Sequence, residues 1–288
     1  QTFRGPLELS AFDDGSADDT WELLQDWSER LRLSGMHVVL GRSCAAARGC
    51  GFAKNRAVEQ ASGAWLCFMD VDDLMAPERI ERQLEATLAC GPRTLVGACV
   101  RREPEGSTRR YMAWANGMSA RELVLHRFRE CPLLMPTWFM SRETFDAQHG
   151  FREEPCEDLL FLLDHVAAGG ALHRVDGEPL LTYTYHQSAA THSIARKTLL
   201  RHRVHAIERD VLEHWPRFSI WGAGRDGRAF FKALQPHTRQ KVAAFCDVDE
   251  RKVGTTYQYF DCHVPIIHWQ DVQPPFVTCV ALDRTGGR

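Results

Sequence analysis

Three carboxylates close an apolar run in Trp65-Leu66-Cys67-Phe68-Met69-Asp70-Val71-Asp72-Asp73. The run reads as a strand built for burial, and charge at its end needs a partner. Hard octahedral cations such as Mg²⁺ or Mn²⁺ prefer carboxylate oxygens and are often shared with substrate phosphates. The first turn of a helix also favours acids, and Asp73 ahead of Met75-Ala76-Pro77-Glu78 suits that role. A cap does not account for Asp70, which still lies inside the apolar run.

Other residues of the same kind lie elsewhere. Asp13-Asp14-Gly15-Ser16 follows an alternating segment at 7–12. Its carboxylates suit a base edge or a ribose, and the same letters also make a plain turn. Glu157-Asp158 follows Pro155 and opens an apolar helix. It reads either as a general base or as acids satisfying a helix dipole. His186 and His192 follow a strand end, and one of them is a candidate metal ligand or phosphate donor. Gly222-x-Gly224-x-x-Gly227 lies between a strand and a helix, with Asp247 closing the next strand. That context fits a dinucleotide fingerprint.

The elements that carry these residues alternate. Strands at 7–12, 36–40, 65–69 and 94–100 are separated by helices, so a mostly parallel sheet with helices on both faces is expected. Ligands of such sheets sit beyond the carboxyl ends of strands, where both acid groups fall. Residues 101–110 read as a charged loop with four arginines, and 133–140 as an apolar strand that Pro136 marks as edge or bulged. A long helix at 194–214 closes this part. The boundaries expected are 1–214 for the first domain and 215–288 for a small Rossmann-like unit.

The chain has 288 residues, 44% of them hydrophobic and 25% charged, enough for one large or two ordinary cores. A net charge of −3 argues against strong nucleic-acid binding by bulk charge and leaves room for a local basic patch. The 10 cysteines contain no C-x-x-C pair, and Cys67, Cys99, Cys246 and Cys279 lie in apolar runs. This argues against zinc and disulfide frameworks and for a reducing, cytoplasmic setting. No run approaches the roughly 18 apolar residues of a membrane span, so no membrane partner is expected. The first residue is Gln1 rather than Met, so an upstream piece is expected.

The ordered set Asp-Asp-Gly-Ser, Lys54-Asn55-Arg56, Phe-x-Asp-x-Asp-Asp, Glu-Asp and Tyr-His resembles the inverting family 2 glycosyltransferases of GT-A fold over about 7–192. Met135-Pro136-Thr137-Trp138-Phe139, Glu157-Asp158-Leu159-Leu160-Phe161 and Ala244-Phe245-Cys246-Asp247-Val248-Asp249-Glu250 resemble a galactosyltransferase branch that acts on queuosine in tRNA. The resemblance implies a UDP-sugar donor, UDP-galactose or UDP-N-acetylglucosamine. Asp14, with Asp13 beside it, would hold uracil and Asp70 the ribose. Lys54 and Arg56 would line the nucleotide pocket. Asp72, with Asp73 and His186, would hold Mn²⁺ or Mg²⁺ against the diphosphate. Asp158, beside Glu157, would deprotonate the acceptor hydroxyl. The family's first strand and nucleotide-contacting loop would precede Leu7, where six residues stand.

Other readings are an inactive GT-A binding module, an N-acetylglucosaminyltransferase acting on a glycan, and a nicotinamide-dependent oxidoreductase built on 222–227. For the second unit, docking or tRNA recognition is favoured over dinucleotide chemistry. Arg225, Arg228, Lys232, Arg239, Lys241, Arg251 and Lys252 either meet phosphates or form ordinary solvated surface.

Overall fold

The computed structural model describes residues 1–186 and 194–279. The chain divides into two compact units, Gln1–Ser193 and Ile194–Arg288.

In the first unit, β1 (Glu8–Asp13) and β2 (His37–Arg42) pair in parallel across α1 (Thr20–Leu33). Then follow α2 (Cys50–Gln60), β3 (Trp65–Cys67), β4 (Leu74–Met75), α3 (Arg79–Cys90), β5 (Thr94–Ala98) and β6 (Val100–Glu103). After α4 (Arg109–Gly117) and α5 (Ala120–Leu125) come β7 (Phe139–Ser141), α6 (Arg142–Asp146), α7 (Glu157–Ala167), β8 (Ala171–Val175) and β9 (Leu181–Thr184). One sheet has the order β3-β7-β5-β8 and a smaller one β4-β9-β6.

The sheets are mixed rather than mostly parallel. β5 and β8 are parallel, but β7 lies antiparallel between β3 and β5. β7 is therefore central, not an edge strand. Pro136 is held in a 3-10 turn, Met135–Thr137, so the strand starts after it and no ladder donor is lost. Residues 101–110 are not one loop either. Arg101 and Arg102 sit on β6, the edge of the small sheet, where charged side chains are tolerated, and Arg109 opens α4.

The core of this unit is aromatic. Trp138 is fully buried, and its indole Nε1 donates to the Leu133 carbonyl at 3.0 Å. Phe145, Phe151 and Phe161 pack with ring centres 5.1–5.6 Å apart. Each ring removed from water contributes roughly 1.5–3 kcal/mol.

α2 is tied down at its carboxyl end. The Arg142 guanidinium donates to the carbonyls of Val58 (3.0 Å), Ala61 (2.9 Å) and Gly63 (2.8 Å). A cation among the unpaired terminal carbonyls of a helix is favoured by both hydrogen bonding and the dipole.

The second unit holds α8 (Arg196–Asp210), β10 (Phe218–Trp221), α9 (Arg225–Ala233), the short α10 (Pro236–Arg239), β11 (Val242–Asp247), β12 (Thr256–Tyr259), β13 (Cys262–His268) and β14 (Phe276–Thr278). Its sheet order is β12-β13-β11-β10-β14, parallel except for the β12–β13 hairpin. Val204 of α8 and Leu212 share a core with Phe218, Ile220, Phe231 and Phe245. The helix that the sequence assigns to the first domain therefore packs in this unit, and the division falls at Ser193 rather than at 214. All ten cysteines are free.

Candidate active site

β3 stops at Cys67, and the Phe68 N–H donates to the Trp138 carbonyl at 2.9 Å before the backbone turns away. In that turn Asp70, Asp72 and Asp73 each bring one oxygen within 4.8 Å of the others. Three like charges so close raise each other's cost of ionisation. Burial first, then the neighbouring acids, push Asp70 up, while Lys54 pulls it down.

Asp73 is 3% exposed and pushed up to about 6, chiefly by burial. Its Oδ1 accepts from the Thr184 N–H at 2.9 Å, and its Oδ2 is buried with no partner. The Thr184 hydroxyl donates to the Asp72 carbonyl, so β9 is fastened to the acid turn by one residue. His186 Nε2 stands 3.2 Å from Asp72 Oδ2. Asp73 caps no helix, because α3 starts at Arg79 with Glu78 as its N-cap. Three convergent carboxylates with one orphaned buried oxygen fit a hard divalent cation.

Across from them stands the head of α7, with Glu157 and Asp158 in its first turn. Lys54 Nζ of α2 lies 3.8 Å from Asp70 Oδ1 and 3.4 Å from Glu157 Oε1, so one ammonium links the acid turn to the Glu-Asp pair. Asp158 is pushed up to about 6, first by burial and next by the charge of Glu157, with Lys54 opposing. A carboxylate ionising there is a competent general base near neutral pH.

Two further residues make this arrangement possible. Asn55 exchanges two hydrogen bonds with the Phe151 backbone, at 2.7 and 2.8 Å. Gly51 lets α2 close on the segment leading into α7, because a Cβ there would lie 2.5 Å from the Arg152 carbonyl oxygen. Asn55 is legible in the sequence only as the middle of Lys54-Asn55-Arg56, and Gly51 only as part of a glycine- and alanine-rich loop.

The first acid pair works on the β1 side. Asp13 is buried. Its desolvation is outweighed by the Ser16 N–H at 2.9 Å and by Arg42 Nε at 3.1 Å, which hold its carboxyl below the usual range. Asp14 Oδ2 accepts from the N–H groups of Arg48 and Gly49, both at 2.7 Å, and clamps the loop entering α2. Its Oδ1 is buried and unpartnered. Arg56 pairs with Glu59 and covers the Phe52 ring. His192 lies outside the described residues.

In the second unit, Gly227 sits where a Cβ would be 1.8 Å from the Gly222 carbonyl oxygen, a helix packed tightly on its strand. Asp247 accepts from the Ala223 N–H (2.9 Å), the Asp249 N–H (3.0 Å) and Lys252 Nζ (2.9 Å). Its carboxylate is occupied in holding the glycine loop, where a dinucleotide fold would turn it to a ribose. Arg225 pairs with Asp226, Arg251 and Lys252 with Asp249, and Lys241 Nζ donates to the Leu212 and Glu213 carbonyls. The described residues contain no helix long and apolar enough to cross a membrane.

Residues 2–149, just over half of the chain, match the sequence profile of glycosyl transferase family 2. The succinoglycan biosynthesis protein ExoO of Rhizobium meliloti (strain 1021) is 30% identical over 192 residues, 62% of this chain and 52% of its own. A putative teichuronic acid biosynthesis glycosyltransferase of Bacillus subtilis (strain 168), TuaG, is 35% identical over 81 residues, 27% of this chain and 29% of its own. The chain thus spans about half the length, or less, of these relatives. Among solved structures, S. aureus TarS 1-349 in complex with UDP-GlcNAc superposes with a TM-score of 0.52 at 16% identity. The superposition covers 77% of this chain and 60% of that one. The α/β architecture is that of GT-A glycosyltransferases.

Proposed function

Because this chain belongs to glycosyl transferase family 2, we propose that its first unit transfers a hexose from a UDP-sugar to a hydroxyl acceptor with inversion. The observation that carries the reading is the facing of the Asp70–Asp72–Asp73 cluster and the Glu157-Asp158 pair across Lys54.

Asp72 and Asp73, with His186 beside them, would hold Mn²⁺ or Mg²⁺. Such an ion offsets charge on a leaving diphosphate. Asp70 and the free oxygen of Asp14 suit hydroxyl and imide donors of a uridine. Asp158 accepts the acceptor hydroxyl's proton. The acceptor oxygen bonds to the anomeric carbon as the carbon–oxygen bond to UDP breaks, so one in-line displacement inverts that carbon. Lys54 holds Glu157 in place and keeps the flanking carboxylates from repelling each other.

The finer reading follows the sequence resemblance. The donor is UDP-galactose, the acceptor is queuosine in tRNA, and the protein works in the cytoplasm, where ten free thiols persist. UDP-N-acetylglucosamine, the nucleotide sugar in the TarS complex, is the second donor to test.

The experiment is a thermal melt with UDP and Mn²⁺, followed by transfer assays across UDP-sugars with and without tRNA. A UDP- and Mn²⁺-dependent rise in Tm that Asp72→Ala abolishes is expected. No shift for the native chain would overturn the reading, and transfer only to glycans would overturn the tRNA acceptor.

A further inference from the structure

Charge is divided unevenly along the chain. Residues 1–193 contain 20 Lys and Arg against 28 Asp and Glu, while 194–288 contain 15 against 10. The net charge of −3 is thus a first unit at about −8 and a second at about +5. Such asymmetry between parts of a chain points to a polyanionic partner for the basic part.

The second unit's unneutralised cations are gathered. Arg228 and Lys232 are one helical turn apart on α9, and Arg239 closes α10. Their charged groups lie over tyrosine rings of β12, Arg228 at 4.9 Å from Tyr257, and Lys232 and Arg239 at 5.5 and 5.3 Å from Tyr259. Among the described residues no carboxylate pairs with any of the three, whereas Arg225, Arg251 and Lys252 pair with carboxylates; Arg239 Nε also donates to the Leu234 carbonyl at 3.0 Å. Phe260, at the tip of the β12–β13 hairpin, packs edge-on to Tyr259 at 4.6 Å and is 77% exposed, leaving a ring face open.

The basic surface continues onto α8. Lys197, Arg201 and His205 recur every four residues and are exposed on one face. Arg201 and His205 line a cavity of about 270 Å³ whose far wall is Ala233 and Gln235, between Lys232 and Arg239. The acid of that cavity, Glu208, is buried and accepts from the Gln235 N–H at 2.7 Å.

We propose that this α8–α9–α10–β12 face binds single-stranded nucleic acid. Unpaired cations at helical spacing suit successive phosphates, and aromatic rings interleaved with them suit unstacked bases. A duplex offers phosphates but no free base face, and a neutral glycan offers neither. The proposal deepens the acceptor side of the proposed function and rests on that reading only for which nucleic acid is native.

The test is fluorescence anisotropy of the full chain with labelled 20-nucleotide mixed-sequence RNA, the same sequence in DNA, and an RNA duplex, at 50–300 mM NaCl. Binding to single strands that weakens with salt is expected. Each phosphate contact adds about 0.7 to the logarithmic slope for single strands. The triple variant Arg228→Gln/Lys232→Gln/Arg239→Gln should bind about tenfold or more weakly at 50 mM NaCl, with a slope shallower by about 2. Phe260→Ala should weaken single strands and leave the duplex unchanged. The RNA and DNA arms distinguish the two sources of the same chemistry.

Absence of binding at 50 mM NaCl, or a triple variant equal to the native chain, would overturn the proposal. The UDP and Mn²⁺ melt is run on the same samples. Its persistence in the variants reports an intact first unit, an unchanged far-UV circular dichroism spectrum reports an intact second one, and absence of the melt shift in the native chain indicts the donor reading without touching this one.

Discussion

Asn55 and Phe151 are paired like neighbours in a β-ladder, although one is a helical side chain and the other a backbone 96 positions away. The amide satisfies both the N–H and the C=O of Phe151, just where the chain turns toward Glu157. Asn55→Ala leaves both groups to find water in a half-buried site, at about 1–3 kcal/mol each. Urea denaturation should show a loss of about 2–6 kcal/mol, with transferase activity falling further than the folded fraction does.

Asp158 gives a signed pH prediction. Its carboxyl titrates at about 6 in the native chain against an ordinary 3.8. A carboxyl that holds its proton better when folded costs stability once ionised. That cost is absent below about pH 4, grows through the window to pH 6 and is complete above it. It amounts to at most about 3 kcal/mol at 1.36 kcal/mol per pH unit. Asp158→Asn should therefore melt higher than the native chain at pH 7.5, the difference should vanish near pH 4, and transfer should be lost. A variant equally stable at both pH values would show that the site is better solvated than its surroundings suggest.

Lys54 lowers the cost of ionising both Asp70 and Asp158. With Lys54→Met, the acid limb of kcat/KM against pH should move upward by about 0.5–1 unit. A profile displaced downward, or lowered uniformly with no change of midpoint, would contradict the assigned electrostatics.

The glycine loop of the second unit separates packing from ligand chemistry. Gly227→Ala sets a Cβ 1.8 Å from a backbone oxygen, while at Gly224 nothing lies within 4 Å. Gly227→Ala should unfold the second unit or cost more than about 3 kcal/mol, whereas Gly224→Ala should be near neutral. Tryptophan fluorescence during denaturation reads Trp215 and Trp221 in that unit.

The acid turn was legible in the sequence because residue type changes abruptly there, and Asp70 breaks an apolar run that nothing local explains. The alternation of strands and helices gave the class of fold. Strand order was not legible, since β7 inserts between β3 and β5 through contacts far apart in sequence. Pro136 misled for a local reason: it sits in a 3-10 turn, Met135–Thr137, that is complete before the strand begins at Phe139. Arg142 was silent, and Asn55 showed only as the middle of Lys54-Asn55-Arg56, because their partners are backbone groups, which leave no mark on composition. The packing of α8 turned on which core Val204 and Leu212 fill, and an amphipathic stripe does not name its partner.

α2 is held at three places along its length: Asp14 at the Gly49 N–H, Asn55 at Phe151, and Arg142 at the last carbonyls. A beam clamped at head, middle and tail can neither roll nor slide by itself. Lys54 rides on that beam between Asp70 and Glu157. Any displacement of the helix is thus a common-mode error that shifts its spacing to the nucleotide side and to the base side together. The two halves of the site share a single tolerance, so substitutions at any of the three clamps should degrade donor binding and proton transfer in proportion.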